Sequence, residues 1–265
     1  MRLTNKSPAI KVEWEKVLKQ EKQFIEKRIE KKPFLLSQKL EEKIPEKLEE
    51  TLECAFEKAF TLVFNKGTSI IEKTYKRDEI EKTYKVQQFE VELRKNRKSL
   101  NAMKKEAVKT GIGNLLLSGA SGVGMGILGI GLPDVPIFIA ILLKNVYEIA
   151  LHYGFKYDTQ DEQYFILLVI EGANSYGEHL KQINNEINHY CQWGEFNAKF
   201  LLQEQIKKTA KTLSGELLYM KFLQGIPIVG AVGGAYDIVY LQRVNEYVKL
   251  KYQYRYLFNQ KVSMK

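Results

Sequence analysis

A chain of 265 residues is long enough to bury a sizeable core as one large domain or two small ones, and six prolines are too few for modules strung on linkers. Two cysteines, Cys54 and Cys191, fit no metal or redox spacing, and together with the charged opening MRLTNKSPAIKVEWEK they argue against secretion and for the cytoplasmic face of a bacterial-type cell. The formal net charge of +9 is uneven: 27 Lys and Arg face 19 Asp and Glu up to Thr110, against 14 and 13 from Gly111 onward. Such asymmetry points to an anionic surface, either nucleic acid or an inner leaflet, although Lys and Glu also interleave here as on any solvated helix face.

In chain order, Ile10, Trp14, Val17, Leu18, Phe24, Ile25 and Ile29 recur at near-helical spacing and predict an amphipathic first helix ending before Pro33. A second helix carries the stripe Leu40, Ile44, Leu48, Leu52, Ala55, Phe56, Ala59, Phe60 and Val63, with Pro45 near a boundary and Gly67 placed to stop it. The hexapeptide IEKTYK then occurs twice, at Ile71 and Ile80. On one continuous helix a nine-residue offset is a turn of about 180°, so the copies are expected to face opposite ways and to form no stacking repeat. The same helix is expected to run on through FEVELRKNRKSLNAMKKEAVK, where Arg94, Lys95, Arg97, Lys98, Lys104, Lys105 and Lys109 face Glu106.

Residues 111–133 hold eight glycines and no charge. Beyond them IFIAILLKNVYEIALHYGF predicts a strongly apolar helix, with Asp134 at the N-cap, Pro136 in the first turn and Gly154 at the end. Another helix opens at Asp158 or Thr159, and asparagine-rich polar sequence reaches Gly194. Helices are predicted again over about Phe196–Leu223 and Ile228–Phe258, the tail VKLKYQYRYLF being read as helix because a lone strand would have no sheet to join. The fold class is all-α: a multi-helix bundle with two glycine-rich apolar segments. Residues 1–93 form basic amphipathic helices packed on a domain of residues 94–265.

No catalytic constellation is present. Gly124, Gly126 and Gly129 match G-x-G-x-x-G, but basic helix, not a strand, precedes them, so the dinucleotide turn lacks its context. No Lys-Ser/Thr follows GASGVGMG, and Ser121 lacks the second glycine of a nucleophile elbow. Glu186 and His189 make a single E-x-x-H where a di-iron site needs two, so no metal and no cofactor is predicted. Lys144, Glu148 and His152 fall in line at i, i+4 and i+8 on the apolar helix, beside Asn145. They are either an ordinary salt bridge on a solvent edge or, with Asp134 and Asp237, the lining of a pocket between the glycine-rich elements.

Small residues explain the glycines better. Gly119, Gly122, Gly126 and Gly129, and later Gly230, Gly233 and Gly234, would let helical backbones approach closely in lipid or in a dense helix pair. Residues 111–133 are long enough to span a bilayer, which takes about 20 residues, yet glycine, Asn114, Ser118 and Ser121 weaken that reading. The basic run before Gly111 suits a cytoplasmic membrane surface. Tyr247, Tyr252, Tyr254 and Tyr256, among Lys249, Lys251 and Arg255, suit the headgroup zone or stacking on bases.

The segment LGIGLPDVPIFIAILLKNVYEIALHYGFKYDTQDEQYFILLVIEGA, followed by GIPIVGAVGGAYDI and Arg243, resembles the EcsC proteins, named for a product encoded beside a bacterial ABC exporter. The likeness covers about Arg94 to Phe258. It implies a helical protein with a link to membrane transport and carries over no catalytic set. The expectation is a membrane-associated accessory protein, cytoplasmic and peripheral to the inner face, with an anionic membrane surface or a transporter as partner. An enzyme or lipid-handling protein is the alternative, and nucleic-acid binding a third.

Overall fold

The longest regular segment, AYDIVYLQRVNEYVKLKYQYRYLFNQKVS, has no one-sided apolar stripe, because charged, tyrosyl and aliphatic residues follow one another around the helix. A helix so composed is either solvated all round or enclosed with every polar group partnered. The computed structural model describes residues 8–29, 46–109, 134–196, 199, 201–223 and 235–263, and it encloses most of this helix between Leu241 and Leu257. The helices are α1 (Pro8–Glu26), α2 (Glu46–Leu62), α3 (Thr68–Glu72), α4 (Arg77–Arg94), α5 (Arg97–Lys109), α6 (Asp134–His152), α7 (Gln160–Ala173), α8 (Gly177–Trp193), α9 (Leu202–Leu223) and α10 (Ala235–Ser263). Every regular element among the described residues is helical, as the periodicity predicts.

The apolar stripes decide the packing. α10 lies against α1, α6, α7 and α8; α7 also meets α8 and α9; α2 fills the gap between α6 and α9. Contacts therefore run in a closed circuit from α6 through α10, α7, α9 and α2 back to α6. Phe165 to Ile170 of α7 are buried all round, and α6 presents Ile139, Leu142, Leu143, Val146 and Ile149 to the same core. α7 begins where the sequence places it: the Thr159 hydroxyl accepts a hydrogen bond from the Glu162 backbone N–H. α6 begins at Asp134 and ends before Gly154, whose φ of +81° a side chain would strain and whose missing Cβ admits the Tyr84 ring.

Three local expectations are corrected. Gly67 does not stop the second helix: at φ −86° it sits in a π-turn, Val63–Gly67, that inserts one residue and leads into α3. The IEKTYK copies do not share a helix, since the chain breaks between α3 and α4, and both Tyr75 and Tyr84 turn towards the loop after α6. A second break follows at Lys95, which adopts the left-handed conformation at φ 47° and separates α4 from α5. The polar stretch before Gly194 is a regular helix, α8, burying Leu180, Ile183, Ile187 and Tyr190 and closed by Gly194 at φ +76°.

The tail is helix, as read, but its tyrosines are not at a surface. Tyr247, Tyr252, Tyr254 and Tyr256 are buried, so neither headgroups nor bases reach them. Each has an internal acceptor or donor: Tyr247 donates to Asn184 of α8 at 2.8 Å, Tyr252 to Glu162 of α7 at 2.8 Å, Tyr256 to Gln88 of α4 at 2.7 Å, and Tyr254 accepts from Gln192 at 2.7 Å. The cations are spent the same way. Arg255 pairs with Glu162 at 2.7 Å, and Arg243 pairs with Glu216 of α9. Lys251, fully buried, pairs with Glu21 of α1 and donates to Asn188 at 2.9 Å. Burial lowers the Lys251 pKa and the Glu21 carboxylate works against that, while the Glu162 carboxylate keeps Arg255 protonated. Removing one member of such a pair strands the other, so Lys251→Met should cost about 3 kcal/mol in urea unfolding, and Lys251→Met with Glu21→Met should recover much of that loss.

Candidate functional site

The side chains that sequence order puts in line on α6 fall into separate surroundings. Lys144 and Glu148 form an i, i+4 pair at 4.0 Å, and the Lys144 ammonium also donates to the Thr74 carbonyl at 3.3 Å. Both are partly exposed, so they are built as a salt bridge at a helix edge. His152, one turn on, is buried with no hydrogen-bond partner on Nδ1 among the described residues, and burial lowers its pKa. Asn145 is buried, and neither of its amide atoms has a partner among the described residues. Asp134 opens the same helix, about 15 Å along the axis from Lys144 at 1.5 Å per residue. Asp237 lies near the start of α10. Lys144, Asn145, Glu148 and His152 line neither of the two larger cavities described. The glycines Gly119, Gly122, Gly126, Gly129, Gly230, Gly233 and Gly234 lie outside the described residues.

The basic run is divided by the break at Lys95. Arg94 and Lys95 close α4, while Arg97, Lys98, Lys105 and Lys109 stand exposed on α5, whose other face buries Leu100, Met103 and Ala107. Several reach carboxylates: Arg94 to Glu90 at 3.7 Å and Lys109 to Glu106 at 2.6 Å at the surface, and Arg97 to the buried Glu13 at 3.5 Å. Exposed pairs of this kind are worth roughly 0–1 kcal/mol and yield readily to another anion. On α4, directly opposite buried Val91, a line of apolar side chains faces water: Val86, Phe89 and Leu93 are 63%, 64% and 69% exposed. Lys82 lies in that line and Lys85 beside it, both exposed, while the flanking Glu90 and Glu92 are occupied by Arg94 and Gln88.

Lys104 is the exception in the run. It is half-buried and turns into a groove of about 670 Å³ between α1, α5 and α10. The same groove is lined by Lys27, Arg28, Arg243 and Lys249, with Glu246 as its carboxylate. Arg28 is fixed over the rings of Phe24 at 4.6 Å and Tyr176 at 5.4 Å and donates to the Ala173 carbonyl. Burial first, and the Arg243 charge second, lower its pKa, while Tyr176, Glu216 and Glu246 oppose the shift. Behind Arg243, Glu216 accepts from Tyr176 at 2.8 Å. Sequence reading finds Lys104 and quotes Arg243, but Lys27, Arg28 and Lys249 join them only when α1 lies along α10.

The Lys144–Glu148 pair can be tested by its pH dependence. Burial raises the Glu148 pKa, and the Lys144 ammonium opposes that shift. The folded chain therefore holds this proton more tightly than the unfolded chain. Its contribution to stability is complete below the ordinary glutamate pKa of about 4.3 and is lost as pH rises through the folded value. Glu148→Gln should melt above the wild type at neutral pH and converge with it in acid, followed by circular dichroism. Lys144→Gln should melt below the wild type at neutral pH.

One helix among the described residues, spanning Val135–His152, is long and apolar enough to cross a membrane, and most of it is buried inside the protein. Comparison with known families matches residues 10–257 to the EcsC protein family, so the match includes α1 to α4 as well as the segment that carries the resemblance. Neither the curated proteins nor the solved structures gave a match. With nearly the whole chain covered by that profile, the protein belongs to the EcsC family.

Proposed function

We propose that this chain is a non-enzymatic interaction protein that attaches reversibly to an anionic membrane surface through the edge formed by α4 and α5, where a membrane transporter would be its partner. The observation that carries this reading is the exposed line Val86, Phe89, Leu93 on α4, which runs straight into Arg94, Lys95, Arg97 and Lys98. A line of large apolar side chains facing water is rare on a helix whose opposite face already supplies its share of the core. Beside a row of Lys and Arg it has the composition of a helix that lies in the headgroup layer, with apolar side chains dipping towards the acyl boundary and cations held at the phosphates. Each basic residue near an anionic leaflet contributes about 1 kcal/mol. Burying a Phe or Leu side chain contributes roughly 1.5–3 kcal/mol more. Sums of that size hold a protein at a membrane without inserting it.

The α5 helix suits the same task. Its inner face is fixed on α6 and α1, so Lys98 and Lys105, two turns apart, stay on one outer face. The family resemblance to a product encoded beside an ABC exporter agrees with a cytoplasmic place next to membrane transport.

Co-sedimentation with phosphatidylglycerol vesicles should show binding that phosphatidylcholine vesicles do not support and that falls as salt rises. Phe89→Ala with Leu93→Ala should weaken binding by about tenfold while circular dichroism stays unchanged, and Lys95→Gln with Lys98→Gln and Lys105→Gln should flatten the salt dependence. A wild-type chain that stays in solution with anionic vesicles at low salt overturns the reading. So does a purified dimer that Phe89→Ala and Leu93→Ala convert to monomer, since the stripe is then a contact between copies.

A further inference from the structure

We propose that the groove between α1, α5 and α10 is a binding site for a phosphomonoester, whether this is the headgroup of a lipid or a soluble phosphate ester. The inference deepens the membrane reading by naming the headgroup chemistry, and it rests on that reading only where lipid is the source.

Charge comes first. Five cationic side chains, Lys27, Arg28, Lys104, Arg243 and Lys249, line one cavity with Glu246. Glu216 lies behind Arg243 and pairs with it, so among the described residues the five cations exceed the two carboxylates by three. Lys27, Arg28 and Lys104 make no ion pair among the described residues. Elsewhere in the interior, cations on α10 meet carboxylates directly: Lys251 has Glu21 and Arg255 has Glu162. The groove departs from that pattern on its α1 and α5 walls.

Geometry comes second. Arg28 cannot swing freely, because Phe24 and Tyr176 hold its plane and the Ala173 carbonyl takes one of its donors. A guanidinium has five N–H donors, so a fixed edge remains for an oxyanion, and an edge that is already ordered loses little entropy on binding. The backbone there is also committed. The Arg28 carbonyl accepts from Gly177 at 2.8 Å, and the last carbonyls of α1 accept from the N–H groups of Lys27, Arg28 and Ile29. The end of that helix therefore turns no free carbonyl row against an anion. Gln23 and Gln253 add neutral amide donors on the α1 and α10 walls.

Size and charge together select the class. A cavity of about 670 Å³ exceeds a bare anion and accommodates the group to which a phosphate is attached. A carboxylate or a phosphodiester brings one negative charge, whereas a phosphomonoester brings between 1.5 and 2 at neutral pH, its second pKa being about 6. Paired Arg and Lys recognition of phosphate oxygens is the chemistry this lining offers. Binding should weaken as pH falls through that second ionisation.

The test uses the full chain with three probes: glycerol 3-phosphate, phosphatidylcholine vesicles containing phosphatidic acid, and phosphatidylcholine vesicles containing phosphatidylglycerol at matched surface charge. Isothermal titration should detect glycerol 3-phosphate, and sedimentation should favour phosphatidic acid over phosphatidylglycerol by about tenfold, the equivalent of one charge-assisted hydrogen bond. Lys27→Gln with Lys104→Gln should abolish both effects and leave binding to phosphatidylglycerol near the wild-type level. Arg28→Gln should do the same. Because Arg28 also ties α1 to Ala173, the lysine pair carries the test if that variant fails to fold. Glycerol 3-phosphate binding without any vesicle binding supports the groove with a soluble ligand and overturns only the membrane reading. Equal binding to both vesicle types with no titration by glycerol 3-phosphate overturns the groove and leaves the membrane reading in place. Binding that the lysine pair of substitutions does not change also overturns it.

Discussion

A fully enclosed lysine is the constraint on which the rest of the fold depends. Lys251 sits in the interior of a 29-residue helix, where an unpaired ammonium would cost several kcal/mol. The structure supplies Glu21 from α1 and Asn188 from α8, and Asn188 also donates to Glu21 at 2.9 Å, closing the triad. The same rule repeats along α10. Arg243 requires Glu216, Tyr247 requires Asn184, and Tyr252 with Arg255 requires Glu162. The helices α1, α7, α8 and α9 are each held at one height and one rotation by a polar partner, because a slide of one residue would leave a buried polar group without its mate.

That arrangement sorts the cations of a basic chain into two populations. Lys251 and Arg255 of α10 meet carboxylates in the interior and fix helix positions, whereas Arg243 pairs with Glu216 and still lines the groove with Lys249. Those on α5, and on α1 near its end, either stand in water or crowd one groove. Composition alone counts all of them as one positive excess. The distinction is physical: a buried pair is screened from solvent and holds its geometry, whereas an exposed cation exchanges its weak surface partner for a phosphate at little cost.

The elements that sequence reading found are those set by local chemistry. Thr159 with Glu162 three residues on opens α7, Pro136 falls in the first turn of α6, and Gly154 follows its end. The all-α class follows from stripes at helical spacing and holds. Sequence reading failed where a local signal was overridden. Gly67 looks like a stop, but a π-turn carries the helix past it. The repeated IEKTYK looks like one helix turning by half a circle, but the breaks before α4 and at Lys95 cut that helix into pieces. The break before α4 is held by Arg77, which meets Glu72, Glu81 and Asp158, while at the second break Asn96 accepts from the Ser99 backbone N–H and opens α5.

The candidate site was legible in part. Lys104 and the exposed bases of α5 belong to a charge run visible in the sequence, and the line Lys144, Glu148 and His152 is a matter of spacing alone. The sequence by itself determined the helices, their caps and the surplus of positive charge, because each is fixed by neighbours within a few residues. Which tyrosines are enclosed, which lysines are spent on carboxylates and which cations meet in one groove was decided only by the tertiary structure. Residues 28 and 243 lie more than two hundred positions apart, and only the packing of α1 along α10 brings their charges together.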